Sequence, residues 1–116
     1  MKINKNSKIF IAGHNGMVGF AVTKKLKQKG FTNIITVEKK KLNLLNQKNV
    51  YNFLKKIRPS LVILAAAKVG GIHANNSFKS QFIYENLQIQ NNIIHGSYKS
   101  GVKNLIFLGS SCIYPR

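Results

Sequence analysis

A chain of 116 residues with 44% apolar composition can bury one real core but is short for a complete doubly wound enzyme, so a single layered domain is expected over residues 1–116. Nineteen basic residues against two acidic ones give a net charge of +17, a balance that by itself points to nucleic acid or an anionic surface. Lysine supplies nearly all of it, spread from Lys2 to Lys103, and arginine, the usual reader of base edges, appears only at Arg58 and Arg116.

A solvated, lysine-coated surface is therefore favoured over a nucleic-acid interface. The one cysteine, Cys112, excludes an internal disulfide or a cysteine-based metal cluster, and no metal site is expected. The first apolar run is broken by Gly13 too soon for a signal sequence or a membrane span, so the expected location is cytoplasmic.

In chain order, Ile9 to Ala12 read as a buried parallel strand that empties into glycines spaced three apart, Gly13, Gly16 and Gly19. Val18, Val22 and Leu26 recur at four-residue steps and predict a helix that Gly30 terminates. Ile34 to Val37 form a second strand, and after the basic turn Lys39-Lys40-Lys41 a short third strand is expected at residues 42–45. Asn46 caps a helix with Val50, Phe53, Leu54 and Ile57 on one face, and Pro59 stops it. Leu61 to Ala65 make a buried strand, residues 66–77 a polar, glycine-bearing loop, and Ser80 to Ser100 a long helix with Ile83, Leu87, Ile93 and Ile94 inward and Gly101 as its stop. Leu105 to Leu108 give a fifth strand. Strands alternating with helices predict an α/β fold with right-handed crossovers and a parallel sheet in the order 3-2-1-4-5, helices on both faces, truncated after the fifth strand.

The glycine turn carries the chemistry. Gly13 permits the sharp bend, Gly16 lets backbone come within contact distance of a diphosphate, and Gly19 lets the next helix lie close, so that the N–H groups around Met17 and Val18 face the anion. The spacing GxxGxxG alone is weak evidence; strand, turn and helix in sequence make phosphate binding several times likelier than a structural turn. Glu38 ends the second strand where a carboxylate would accept the adenine ribose hydroxyls of NAD, whereas Lys39 and Lys40 would neutralise the 2′-phosphate of NADP.

Three separated stretches, AGHNGMVG from Ala12, LAAAKVGGI from Leu64 and LGSSCIYP from Leu108, together resemble the GDP-L-fucose synthases, the epimerase-reductase branch of the extended short-chain dehydrogenases. The resemblance covers essentially all of this chain but only the N-terminal third of a family member. It implies a Rossmann-type domain and, in the full family, conversion of GDP-4-keto-6-deoxy-D-mannose to GDP-L-fucose by C3 and C5 epimerisation and reduction of the C4 ketone by NADPH. The ketone acidifies the neighbouring C–H bonds, so a modest base forms an enolate and an acid returns the proton to the opposite face.

By the same resemblance Cys112 matches the epimerisation cysteine and Ser110 the serine that hydrogen-bonds the keto oxygen, while Ala65, Ala66, Ala67 and Lys68 would lie along the cofactor's ribose and nicotinamide. Lys39 stands where the family has an arginine for the 2′-phosphate; Asn15 replaces the family's other one. NADP is thus expected over NAD. Asn86 resembles a structural helix asparagine. Two departures follow: the reductase Tyr with a Lys four residues later and the acid histidine both belong to a segment beyond Arg116, where the substrate-binding part would also lie, so the 116 residues alone are expected to bind cofactor poorly and not to turn over. The family also implies a homodimer and no membrane partner.

Plainer readings stand beside these. A lone cysteine after a strand is usually an inert hydrophobe, and only its flanking residues reverse that expectation. Tyr51 and Lys55 have the YxxxK spacing but sit on the wrong helix, and in a lysine-rich chain they read as a chance surface pair. His14, His73 and His95 carry no catalytic signal. The two functional alternatives are a non-catalytic dinucleotide-binding protein and a basic nucleic-acid-binding module.

Overall fold

Four consecutive residues of Ile9–Ala12 (β1) and of Leu61–Leu64 (β3) are buried on both faces, which is why both runs are apolar without alternation. The computed structural model describes residues 2–66 and 72–108, and for 72–79 the helical backbone alone. Its further elements are Met17–Gln28 (α1), Ile34–Ile35 (β2), Gln47–Ile57 (α2), Ile72–Lys99 (α3) and Leu105–Phe107 (β4). All ladders are parallel, with Ile9 against Ile34 and Leu61, and Val62 against Leu105, in a four-stranded sheet ordered β2-β1-β3-β4.

Alternate residues of the strands feed two cores. Phe10, Ala12, Val62 and Leu64 meet Val50 and Leu54 of α2 and Ile89 and Ile93 of α3 on one side. Ile9, Ile11, Leu61 and Ile63 meet Val22 and Leu26 of α1 on the other. The helices end as the sequence predicts: Gly30 and Gly101 take positive φ, and in both cases the glycine and the residue after it donate back into the last turn. At the start of α2 the Asn46 side chain accepts from the Asn49 N–H at 2.9 Å.

Several expectations are corrected. Residues 42–45 form turns in place of a third strand, because their hydrogen bonds are spent locally: Lys41 and Leu42 donate to the Glu38 carbonyl, and Leu45 donates to the Asn43 side chain at 3.0 Å. Removing that strand converts the predicted order into the observed one. β2 stops at Ile35. α3 begins at Ile72, so residues 72–77 are helical where a loop was expected.

The inward face of α3 is Ile89, Asn92, Ile93 and Gly96, while Ile83, Leu87 and Ile94 are exposed. Gly96 sets this phase. A Cβ there would stand 2.8 Å from the Tyr51 ring and 3.0 Å from Leu54, so α2 can seat only on that side. Val18, predicted inward, is also exposed, whereas Val22 and Leu26 of the same stripe pack against the sheet.

Candidate dinucleotide site

β1 and β3 run side by side and finish at the same rim, where Ala65 donates its N–H to the Ala12 carbonyl at 2.8 Å. Gly13 turns there at φ +92°, and a Cβ on it would lie 2.5 Å from the Ala66 backbone. No other residue type fits both the dihedral and the gap. Gly19 is excluded from substitution by contact alone, since its Cβ would stand 1.9 Å from the Gly13 carbonyl oxygen. α1 is thereby fixed against the turn that precedes it.

Gly16 differs from both. It is the N-cap of α1 with extended backbone, φ −73° and ψ 166°, and a Cβ on it would meet only the Gly13 carbonyl oxygen at an ordinary 3.6 Å. Among the described residues nothing gives a steric reason for glycine at this point. No side chain caps α1 and no acidic residue stands in its first turn. The N–H groups of Met17, Val18 and Gly19 precede the helix's first bond, from Phe20 to the Gly16 carbonyl, and present the positive end of the helix dipole to that space.

The same rim holds a cleft of about 200 Å³ lined by residues 13–16, Val37, Lys39, residues 42–45, Ala65, Ala66 and Ile89. Of the sequence-predicted residues it brings together Gly13, Asn15, Gly16, Lys39, Ala65 and Ala66. Met17 and Val18 have exposed side chains and do not line the cleft. Gly19 is buried beneath the turn. Ala67, Lys68, Ser110 and Cys112 lie outside the described residues. β4, parallel to β3, leads the chain toward this rim, with Leu108 donating to the Leu64 carbonyl at 3.0 Å.

Sequence reasoning missed His14, residues 42–45 and Ile89 as lining, and it missed the group that holds that wall in place. Asn92, 1% exposed, donates its side-chain amide to the Leu44 carbonyl at 2.9 Å and accepts from Gln88 at 3.2 Å. The signal was present in the Asn43 and Asn46 spacing, which favours turns over a ladder. Tyr51 accepts from Gln47 and packs beside Gly96 and His95, on the α2–α3 face. Among the described residues no cluster of His, Cys, Asp and Glu could hold a metal, and no helix is long and apolar enough to cross a membrane.

A parallel sheet wrapped by helices, with a glycine turn delivering an uncapped helix N-terminus to an apolar cleft, defines a dinucleotide-binding α/β domain. The model of the NAD dependent epimerase/dehydratase family matches residues 9–116, and the chain belongs to that family. It is 55% identical over 113 residues to GDP-L-fucose synthase 1 of Arabidopsis thaliana and 49% identical over 109 residues to GDP-L-fucose synthase of Escherichia coli K12. These matches cover 97% and 94% of this chain but 35% and 34% of the relatives, so it spans about a third of their length. Among solved structures it is similar to MlghC, a GDP-mannoheptose C4 reductase from Campylobacter jejuni with NADP bound, at TM-score 0.92 and 44% identity, over 98% of this chain and 34% of that one.

Proposed function

We propose that this chain is the NADP(H)-binding portion of a GDP-L-fucose synthase, which converts GDP-4-keto-6-deoxy-D-mannose to GDP-L-fucose. The observation that carries the reading is Gly16, a glycine at the positive end of a helix whose Cβ would meet, among the described residues, only the Gly13 carbonyl oxygen at an ordinary distance. That arrangement suits a diphosphate. Likeness to GDP-L-fucose synthases and to an NADP-bound GDP-sugar reductase supports the choice of cofactor and substrate class.

In this reading the N–H groups at the start of α1 hold the diphosphate and the Lys39 ammonium pairs with the 2′-phosphate. The wall at residues 42–45, Val37 and Ile89 receives the adenine end. The bound nucleotide supplies the hydride for C4. Ala65 and Ala66 carry no side chain beyond Cβ and let the ribose approach. Cys112 moves the protons at C3 and C5, and Ser110 hydrogen-bonds the keto oxygen, which gains negative charge in both stages. A Tyr and Lys pair from a further segment would complete the reduction.

Titration with NADPH, followed by calorimetry, tests the cradle: weak binding to the chain and firm binding to the whole gene product are expected, and Gly16→Val abolishes both while the chain stays folded. Absence of NADPH binding to the whole gene product overturns the reading. NADPH oxidation by the whole gene product on addition of GDP-4-keto-6-deoxy-D-mannose tests the substrate, and binding without turnover would leave a dinucleotide-binding protein of another activity.

A further inference from the structure

Lysine is spread evenly along the sequence, but the fold gathers about half of the cations at one pole. The parallel topology brings residues 4–8, 29–33, 58–60 and 101–104 to the end of the sheet opposite the dinucleotide cleft. Hydrogen bonds tie them together: Thr32 donates to Lys5, Ser60 to Lys8 and Val62 to Asn104, while the Lys5 ammonium caps the Lys29 carbonyl and the Lys8 ammonium the Ile57 carbonyl. Lys5, Lys8, Lys29, Arg58 and Lys103 stand in these loops, all but Lys8 exposed. The last turns of the three helices end on the same pole and add Lys25 and Lys27, Lys55 and Lys56, and Lys99.

Neither acid offsets this charge. Glu38 follows β2 at the cleft end, and Glu85 lies about 21 Å up α3 from Lys99. The three helix C-termini contribute roughly half a negative charge each, far less than the cations around them. Between the cations stand the polar side chains Asn6, Thr32 and Asn104, of which Thr32 and Asn104 brace the loops by donating to the Lys5 and Ser60 carbonyls, and no exposed large apolar side chain lies in the four loops. That mixture suits phosphodiester oxygens and gives a bilayer nothing to bury.

We propose that this pole is a sequence-independent nucleic-acid-binding face that takes the phosphate backbone of a strand laid across the four loops. With Arg58 as its one guanidinium, it grips phosphates without reading bases, so affinity is set by counterion release and falls steeply with salt. The face is remote from the cleft, so nucleic acid and NADPH bind without competing.

The test is fluorescence anisotropy of labelled 20-mer oligonucleotides titrated with the chain at several salt concentrations. Expected are micromolar affinity at low salt, a steep salt slope, and no displacement by NADPH. Lys55→Glu/Lys56→Glu/Arg58→Glu should weaken binding at least ~10-fold and lower the slope by about 3 units, whereas Lys40→Glu/Lys41→Glu/Lys48→Glu at the cleft end changes it less than ~3-fold. The triple glutamine variant at the same pole, expected to weaken binding in the same direction, guards against misfolding, which melting curves report. Equal losses in both triples would mean diffuse charge and overturn the proposal. So would absence of binding at low salt, or equal pole-dependent binding to phosphatidylserine vesicles.

Discussion

The buried Asn92 amide of α3 donates to the Leu44 carbonyl at 2.9 Å, reaching 48 positions back along the chain to fix the wall of the dinucleotide cleft. A segment without ladder partners is thereby given a defined position. Asn92→Leu removes the side-chain partner of that half-buried carbonyl, so the chain should lose about 1 kcal/mol of stability. It should also lose NADPH affinity, because residues 42–45 are released from the cleft. Urea denaturation and NADPH titration of the same variant check both, and an unchanged affinity would show that the wall holds without Asn92.

Gly16 and Gly19 are three residues apart and should respond in opposite ways. Gly16→Val places its Cβ in ordinary contact with the Gly13 carbonyl oxygen and gives up only the N-cap preference for glycine, so stability should fall by no more than about 1 kcal/mol while the nucleotide is displaced. Gly19→Ala drives a Cβ into the Gly13 carbonyl and should cost several kcal/mol, reporting on the fold before any ligand is added. Thermal melts of the two variants without nucleotide separate them.

Lys39 is the one lysine lining the described cleft, and Asn15 of the glycine turn lines it as well. Lys39→Ala should lower NADPH affinity roughly 10-fold and leave NADH affinity unaltered, since only the former carries the 2′-phosphate. Asn15→Arg should raise NADPH affinity by adding a second, planar donor. Parallel titrations with the two nucleotides give the ratio directly.

A net charge of +17 on 13.0 kDa places like charges within a Debye length of one another throughout the surface. The melting temperature should therefore climb by roughly 5–10 °C between 0.02 and 0.5 M sodium chloride, as screening relieves the self-repulsion of the folded state. Differential scanning calorimetry across that range is the check.

Much of the fold was legible because local and tertiary preferences agree. The Ile9–Ala12 and Leu61–Leu64 runs, the Asn46 cap and the glycine stops at Gly30 and Gly101 are decided by residues in direct sequence contact. Residues 42–45 misled because two leucines after an asparagine look like a strand, whereas the deciding partner, Asn92, is remote. α3 misled because it has two apolar stripes on different sides, and periodicity alone does not say which one meets the sheet. Gly96, a small residue with no apolar signal, makes that choice. In the cleft, the glycine turn was readable from spacing, but the wall at residues 42–45 is held by tertiary hydrogen bonding.

The second stripe of α3, with Ile83, Leu87, Ile94 and Tyr98, stays uncovered, as does part of Phe107 at the sheet margin. With +17 on every copy, electrostatic repulsion should hold such adhesive surfaces apart in dilute buffer. The ionic strength that firms up each molecule also removes that barrier, so shelf life in solution should peak at intermediate salt, with turbidity setting in above it.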